Sequence, residues 1–512
     1  MQALKELVYV VNKNKLRGIE LLGFPFSDDS KISALYESIS TGEVDSDITA
    51  AEKLFGTEEP GVNYRKLKAE LTNRLVNALF LIDAKQASYN ERQRAYQECY
   101  KNWAAVKLLF GKNARAAGVV LAEKVLKYGE IFEFTNLCME VCRTLRLHYG
   151  AMMGNEKLYQ VYDEKFRYYR DLDAFESVAE GYYIELVMEY MKNRALKKDL
   201  KELAIQYTKE LTPVLERWQS HDLHLYGNLI KLVIHTSVND YQQAIHVCKD
   251  AIHFFEKKPF DARVPLQAFY YQQTICYIQL RQLDQHFFNT AKNLKFLEEG
   301  TYNWYKFQEA YVIMGLHTKH YQLAYEIFMV AISHKRFQFL PEDQREYWKI
   351  LEQYLHYLYL NQKIISTEQA NYFSKFRLGR FLNQTPIFSK DKKGINIAIL
   401  VIQILFLIQQ NQQAKTVDRI EAIEKYSERY IHTQDTIQSY FFIKRLLTLP
   451  KNRFDAVAVQ RKSKRYFTQL VEHPLEVTGQ SFQIEIIPFE DLWEMVLKNL
   501  EKHSPNTRSL KA

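Results

Sequence analysis

Glycine, proline and cysteine are all scarce in this chain of 512 residues, which holds 17 glycines, 11 prolines and 5 cysteines. So few helix breakers argue against a fold made of many tight turns and long loops, while an aromatic content of 14% supplies core material. The few cysteines have irregular spacing, which argues against a disulfide-stapled scaffold and favours a reducing compartment. The composition therefore predicts a mostly helical, cytoplasmic protein.

The sequence also lacks an apolar run long enough to span a membrane. Its most apolar stretch, 395–408, has 14 residues and contains Asn396 and Gln403, whereas a transmembrane helix needs about 20 residues. The N-terminal stretch contains Glu6 and only a short apolar core, which does not fit a signal peptide. We therefore expect no membrane span, and a helix buried on all sides at 395–408.

Motifs of known enzyme classes are missing as well. The sequence contains no phosphate-binding glycine loop, no nucleophile elbow, no H-E-x-x-H and no paired C-x-x-C. Cys138 and Cys142 stand one helical turn apart and are either core residues or two ligands of a metal; we favour core packing, because a structural zinc needs four ligands. The scattered histidines, including the pair His221 and His224, are best interpreted as surface or hydrogen-bonded residues. We predict no enzymatic activity, no cofactor and no metal.

Positive charge is concentrated in one segment. The net charge is +8, and residues 444–465 contribute +7 of it, with eight basic residues and the single acid Asp455. This segment is either a solvated helix face or a surface that contacts a phosphate backbone or an acidic partner. The candidate contacts are Arg461, Lys462, Lys464 and Arg465.

Apolar side chains at 302–337 predict two helices folded back on each other. Both halves carry large or small apolar residues at offsets 0, 3, 7 and 10, which places them on one helix stripe. These residues are Trp304, Phe307, Tyr311 and Met314 in the first half, and Tyr321, Ala324, Phe328 and Ala331 in the second. Lys319 and His320 form a polar joint between the halves. One hairpin cannot bury both of its stripes, so this unit predicts stacked neighbours.

The same stripe recurs along the chain. It begins again at Tyr241 and at Ile131, with looser copies at Leu200 and Leu283. The equivalent positions Ala204, Ala244, Phe287 and Ala324 are separated by 40, 43 and 37 residues. A degenerate period near 40 predicts stacked pairs of helices.

The pattern resembles that of tetratricopeptide repeats. Ala324, Phe328 and Ala331 match the small, large and small residues of the second helix in that family, and Trp304 with Tyr311 resembles its first helix. The hairpin differs in being four residues longer and in having Gln308 where a small residue is expected. Over roughly 90–430, the resemblance implies an α-solenoid whose concave face binds a peptide or protein. The family's groove positions fall on Tyr302, Tyr305, Glu309 and Val312.

Residues 1–86 form a separate block with helix signals at 2–13, 28–40, 47–55 and 63–82. A short helix, a turn and a second helix give the outline of a helix-turn-helix, in which Arg65, Lys66 and Lys68 would contact phosphates. A purely structural bundle has the same outline and is the interpretation we favour. A helical N-terminal module followed by repeats resembles, in outline, the peptide-pheromone receptors of Gram-positive bacteria. This resemblance implies an alternative function, a nucleic-acid-associated regulator with a ligand-sensing solenoid.

The C-terminal part, 434–502, differs in kind. A basic helix at 453–470 is followed by alternating apolar residues on both sides of a Gly479 turn, ending with Phe482, Ile484 and Ile486. Period two around a glycine turn predicts a β-hairpin at 474–488, and a closing helix is expected at 490–501. We expect this part to cap the last repeat, and the tail 503–512 to be disordered.

The predicted fold class is therefore all-α: an N-terminal helical bundle at 1–86, an α-solenoid of stacked antiparallel helix pairs at 87–433, and a small C-terminal cap containing a β-hairpin. The polar triplet Asp171-Leu172-Asp173 leaves two alternatives open, one long helix or two, and we favour two. The predicted function is a non-enzymatic scaffold or adaptor for a protein or peptide partner.

Overall fold

Helices are the only regular elements in the described part of the chain. The computed structural model describes residues 1–13, 30–82, 90–192, 197–282, 297–365, 373, 395–430, 437–472 and 485–503. Within these ranges there is no β-strand, so the prediction of a helical protein is confirmed there. The chain divides into two compact units, Met1–Arg170 and Asp171–Ala512. The boundaries expected after residues 86 and 433 stay predictions.

The first unit begins with four helices around a core of their own: α1 Gln2–Lys13, α2 Lys31–Ser40, α3 Asp47–Phe55 and α4 Val62–Leu79. Leu35 of α2 and Leu75 of α4 are fully buried in this core. The Ser30 hydroxyl caps α2, and Ser46 forms a reciprocal capping box with Thr49 at the start of α3. Gly56, with φ of 66°, ends α3.

Three more helices and a π-helical segment complete the first unit up to the start of a long helix: α5 Glu91–Gly111, α6 Arg115–Ile131, α7 Thr135–Leu147, the π segment His148–Met152 and α8 Glu156–Lys192. Helix α8 has 37 residues and continues through Asp171-Leu172-Asp173, so the prediction of two helices is wrong. Its residues from Asp171 onward belong to the second unit. The triplet fits an amphipathic helix, since Leu172 is buried, Asp171 is exposed and neither glycine nor proline interrupts the hydrogen bonds.

The second unit continues with helices that are connected mostly by short turns. They are α9 Lys197–Arg217, α10 His221–Thr236, α11 Tyr241–Glu256, α12 Arg263–Gln279, α13 Tyr302–His317, α14 Tyr321–Ser333, α15 Glu342–Leu360, α16 Ile395–Gln409, α17 Gln413–Tyr430, α18 Ile437–Leu446, α19 Thr448–Lys451, α20 Ala456–Glu472 and α21 Phe489–His503. Consecutive helices pack in adjacent pairs, as in a helical repeat. The helix expected at 395–408 is present, and nearly all its side chains are buried.

The predicted hairpin of α13 and α14 is confirmed, and the two helices are antiparallel. Near the turn, a Cβ placed on Gly315 would lie 3.0 Å from the Cβ of Ala324. At the opposite end, the rings of Trp304 and His334 are 5.5 Å apart. Ala324 is fully buried, so small residues at the crossing allow the two backbones to approach closely.

Several turns that follow helices of the second unit share a backbone conformation. In six of these turns a non-glycine residue adopts a positive φ of 52° to 63°: Asn239, Arg281, Lys319, Gln362, Asn411 and Arg453, the last followed by Phe454 with a φ of 57°. These residues are 42, 38, 43, 49 and 42 positions apart. After Asn239, the N–H of Asp240 donates to the carbonyl of His235 at 2.9 Å, which is the wide hydrogen bond of a Schellman motif. The period near 40 is thus a property of the backbone as well as of the side chains.

Helix α21 contacts several of these turns in order. Asp491 pairs with Lys319, Asn499 donates to Asn361, and His503 donates to the carbonyl of Gln409, at 2.8, 3.0 and 3.0 Å. Successive positions along α21 therefore reach successive turns. The closing helix connects several helix pairs, rather than covering only the last one as expected.

The prediction of a cap containing a β-hairpin is wrong. The described end of the expected hairpin, 485–488, forms a bend that leads directly into α21. Glu485, Ile486 and Ile487 are all fully buried, and three consecutive buried side chains do not fit the alternation of a half-exposed strand. Four predicted features lie outside the described residues. They are the rest of the hairpin at 473–484, most of the helix candidate at 369–381, the repeat copy at Leu283 with Phe287, and the tail from 504.

Candidate functional site

An open pocket in the first unit is lined by four arginines. Its volume is about 1050 Å³. The charged lining residues are Arg143, Arg146, Arg167, Arg170, Glu156 and Asp163, and the wall is completed by Leu147, Tyr159 and three small residues. Four guanidinium groups against two carboxylates give the pocket a net positive charge.

The pocket arises where α7 ends and α8 begins. Arg143 and Arg146 lie three residues apart on α7, and Arg167 and Arg170 have the same spacing on α8, so each pair shares a helix face. Between the two helices, the π segment is followed by Gly154, whose φ of 60° turns the chain. These local features place two arginine pairs around one depression.

Asp163 holds two of the arginines in position. Its Oδ1 accepts from Arg146 and its Oδ2 pairs with Arg167, both at 2.8 Å. The guanidinium of Arg146 also lies 4.1 Å from the ring centroid of Phe166. Arg143 is exposed and has no hydrogen-bond or ion-pair partner among the residues that the structure describes. The pocket therefore contains two arginines held in position by Asp163 and a third, Arg143, that has no such partner among the described residues.

Apolar side chains stand beside these charges. Leu147, which lines the pocket, is 60% exposed. Met152 and Met153, between the lining residues Ala151 and Gly154, are 54% and 63% exposed. A cationic pocket with an exposed apolar rim suits a ligand that has both an anionic and an apolar group.

Sequence analysis did not single out this pocket. The available signal was the repeated R-x-x-R spacing at 143–146 and 167–170. Each arginine pair alone is common on a charged helix face, and nearby acidic residues keep the net charge of the segment small. Only the turn between the two helices brings the pairs together.

Three of the four predicted groove residues are buried. Tyr302 is 51% exposed, but Tyr305, Glu309 and Val312 are at most 2% exposed. The ring of Tyr305 packs near that of Trp348, with 6.4 Å between centroids. Neighbouring helices cover α13 on most sides, so these three side chains do not form an exposed peptide-binding wall in this structure. A contact through Tyr302 stays a prediction.

The predicted basic surface on α20 is accessible. Arg461, Lys462, Lys464 and Arg465 are all exposed, while Ser463 between them is buried. None of the four cations pairs with a carboxylate within the described ranges. We call these four residues the α20 basic face, and its binding role stays a prediction.

The N-terminal candidates divide into two kinds. Arg65 and Lys66 are exposed, whereas Lys68 pairs with Asp47 at 2.8 Å and Tyr64 donates to the same carboxylate at 2.6 Å. Burial alone would raise the pKa of Asp47, but hydrogen bonds from Lys68, Tyr64 and the N-terminal amine lower it to about 2. Lys68 therefore stabilises the bundle, while phosphate contacts by Arg65 and Lys66 stay a prediction.

A buried ionic cluster in the second unit was also not predicted. Arg281 pairs with Glu485 at 2.9 Å and with Glu490 at 3.3 Å. His317 donates from Nε2 to the carbonyl oxygen of Glu485 at 2.7 Å. Burial raises the pKa of Glu485 to about 8, although Arg281 opposes this shift, and burial lowers the pKa of His317 to about 4. More than 160 residues separate Glu485 from both partners, which explains why sequence patterns did not reveal the cluster.

Among the described residues, no group of three or more histidine, cysteine, aspartate or glutamate side chains is arranged to hold a metal ion. Cys138 and Cys142 are both buried, and burial raises the pKa of the Cys142 thiol to about 12. None of the helices described combines the length and the apolar character that crossing a bilayer requires.

Comparison of the chain with protein-family models, with curated proteins and with solved structures finds no match. The class that the described residues define is an all-helical protein with helical-repeat-like packing of adjacent helix pairs.

Proposed function

We propose that this protein is a non-enzymatic scaffold that binds an acidic segment of a partner protein. The observation that carries the proposal is the pocket with four arginines and an exposed apolar rim. Arginine is well suited to carboxylate and phosphate groups, because its planar guanidinium donates two parallel hydrogen bonds. The rim adds an apolar contact that a partner peptide supplies through its own side chains.

The repeat architecture supports a tetratricopeptide-like α-solenoid as the frame of this scaffold. The close approach of Gly315 and Ala324 matches the small residues at helix crossings in that family. The period near 40 in the turn residues adds support from the backbone. The five cysteines are buried and unpaired, which supports a reducing compartment, the cytoplasm, as the location.

Co-purification followed by mass spectrometry tests this proposal. Arg143→Glu reverses a charge in the pocket, and Lys101→Glu is the matched control, since Lys101 is an exposed cation outside the pocket. We expect a partner that is retained by the wild type and by Lys101→Glu but lost from Arg143→Glu. Identical partner sets for all three proteins would contradict the proposal.

The α20 basic face favours nucleic-acid binding as a second candidate function. Four exposed cations on one short stretch suit a phosphate backbone, and such contacts release counterions. A titration of labelled duplex DNA at roughly 50 and 200 mM salt tests it, because affinity that depends on phosphate contacts falls steeply over this range. Lys462→Glu with Lys464→Glu should weaken binding, whereas Arg65→Glu with Lys66→Glu examines the N-terminal bundle. Absence of binding at the lower salt concentration removes this alternative.

A further inference from the structure

The pocket between α7 and α8 also points to the chemical class of its ligand. Resting on the proposed scaffold function, we infer that the pocket binds a phosphorylated serine or threonine in a partner peptide, with an apolar residue beside it. Three observations lead to this ligand: the position of Asp163, the two further arginines, and the size and rim of the pocket.

Asp163 already supplies a carboxylate to two of the arginines. Its two oxygens engage Arg146 and Arg167 at 2.8 Å each, and its side chain is 11% exposed. A carboxylate from a partner would have to displace an equivalent group that is already in place, so it gains little from these arginines. A phosphate carries up to two negative charges and three acceptor oxygens at neutral pH. It can therefore bind the pocket without replacing Asp163.

Arg143 provides the first contact for such a group. Arg143 and Arg170 line the same pocket as the pair held by Asp163. Arg143 is solvent-exposed, so it can move toward a ligand at little cost. The first turn of α8 also borders the pocket, through Glu156 and Tyr159, so the positive end of the helix dipole lies on this side. The Asp163 carboxylate then keeps Arg146 and Arg167 oriented while Arg143 closes on the phosphate.

The size and rim of the pocket favour a peptide over a free anion. A volume of about 1050 Å³ is much larger than a single phosphate group needs and suits several residues of a peptide. The lining residue Leu147 is exposed, and Met152 and Met153, which are adjacent to lining residues in the sequence, are exposed as well; a free phosphate or a nucleic-acid backbone would leave these apolar side chains unused. A peptide with an apolar side chain next to the phosphorylated residue uses both features.

Fluorescence anisotropy with three labelled peptides of about ten residues tests the inference. The peptides share one sequence with leucines on both sides of the central position, which is serine, phosphoserine or glutamate. We expect the phosphoserine peptide to bind roughly tenfold more tightly than the glutamate peptide, which corresponds to one additional charged hydrogen bond. Arg143→Glu should weaken phosphopeptide binding by at least tenfold, and Lys101→Glu should leave it unchanged.

Asp163→Asn provides an independent measurement. Asparagine keeps the shape of Asp163 but removes the charge that occupies Arg146 and Arg167. If the Asp163 carboxylate occupies the place of a ligand carboxylate, the glutamate peptide gains more affinity from Asp163→Asn than the phosphopeptide does. The ratio of the two dissociation constants is then smaller in the variant than in the wild type. A role limited to stability would instead weaken both peptides equally, and this outcome counts against the inference.

Other outcomes overturn the inference in distinguishable ways. Equal binding of the phosphoserine and glutamate peptides identifies a general acidic site, which leaves the scaffold proposal intact. Inorganic phosphate that competes with an inhibition constant equal to the peptide's dissociation constant identifies a small-anion site. If none of the three peptides binds, the inference of a phosphopeptide ligand is overturned. The scaffold proposal is not affected by that result, because co-purification with Arg143→Glu tests it separately.

Discussion

Arg281 and Glu485 are 204 residues apart in the sequence, yet their side chains form an ion pair of 2.9 Å in the second unit. Arg281 is the positive-φ residue of the turn after α12, and Glu485 lies just before α21. The next such turn repeats the arrangement, with Lys319 paired to Asp491 at 2.8 Å. These two turns thus present cations to Glu485 and Asp491, which lie before and within the first turn of the closing helix, where acids also interact favourably with the helix dipole.

Removing one partner of the buried pair should cost more stability than removing both. Arg281→Met leaves the buried Glu485 side chain without its charged hydrogen-bond donor, and a loss of about 1 to 3 kcal/mol in the free energy of unfolding is expected. The double variant Arg281→Met/Glu485→Leu should recover a large part of this loss. Urea unfolding followed by circular dichroism measures all three proteins. Additive losses would show that the two residues are not coupled.

The stability of the second unit should depend on pH through Glu485. Burial raises the pKa of Glu485 from 4.5 to about 8, so between these values the folded state holds a proton that the unfolded state has released. The free energy of unfolding therefore decreases as pH rises from 4.5 to 8. In Glu485→Gln this contribution is absent, and urea midpoints at pH 5, 6, 7 and 8 should diverge from those of the wild type. Parallel curves would contradict the assigned shift.

Buried histidines should act in the opposite direction. Burial lowers the pKa of His224 from 6.5 to about 4, and its Nε2 donates to the carbonyl of Trp218 at 3.1 Å. Below pH 6.5 the unfolded state binds a proton that the folded state excludes, so stability is lost as pH falls toward 4. His224→Gln should reduce the pH slope of the urea midpoint between pH 6.5 and 4. The exposed His246→Gln is the control and should keep the wild-type slope.

Glycine should stabilise the repeated turns. Gln362 has a φ of 56°, a conformation that costs most side chains about 1 kcal/mol. Gln362→Gly should raise the free energy of unfolding by up to about 1 kcal/mol, less the extra freedom of glycine in the unfolded chain. Asn411→Gly should change it less, because asparagine tolerates this conformation. The β-branched change Gln362→Val should destabilise, and a gain in stability there would contradict the assigned turn.

The elements that were predictable from sequence are those set by local periodicity. The stripe of Tyr321, Ala324 and Phe328 identified α14, because helical spacing alone decides which residues share a face. The β-hairpin failed because Glu485 looked like the polar member of an alternating strand, whereas its burial depends on Arg281. The burial of Tyr305 also depends on tertiary contacts with other helices.

Turns and pockets were harder to predict for different reasons. The helix-ending turns use asparagine, glutamine, lysine and arginine at positive φ, so the usual glycine signal is missing. The arginine pocket requires two helix faces to meet whose nearest arginines, Arg146 and Arg167, are 21 positions apart in sequence, and the length of α8 was itself misjudged. Sequence patterns describe single helices well, but they do not report which faces come together.

Because all five thiols are buried, the folded chain should react only slowly with cysteine reagents. Burial raises the pKa of the Cys99 thiol to about 11, which further suppresses the reactive thiolate. A single cysteine introduced at the exposed Met153 would therefore be labelled by a maleimide dye far ahead of the native five. Such a dye, seated at the edge of the arginine pocket, would report occupancy directly in an otherwise unaltered protein.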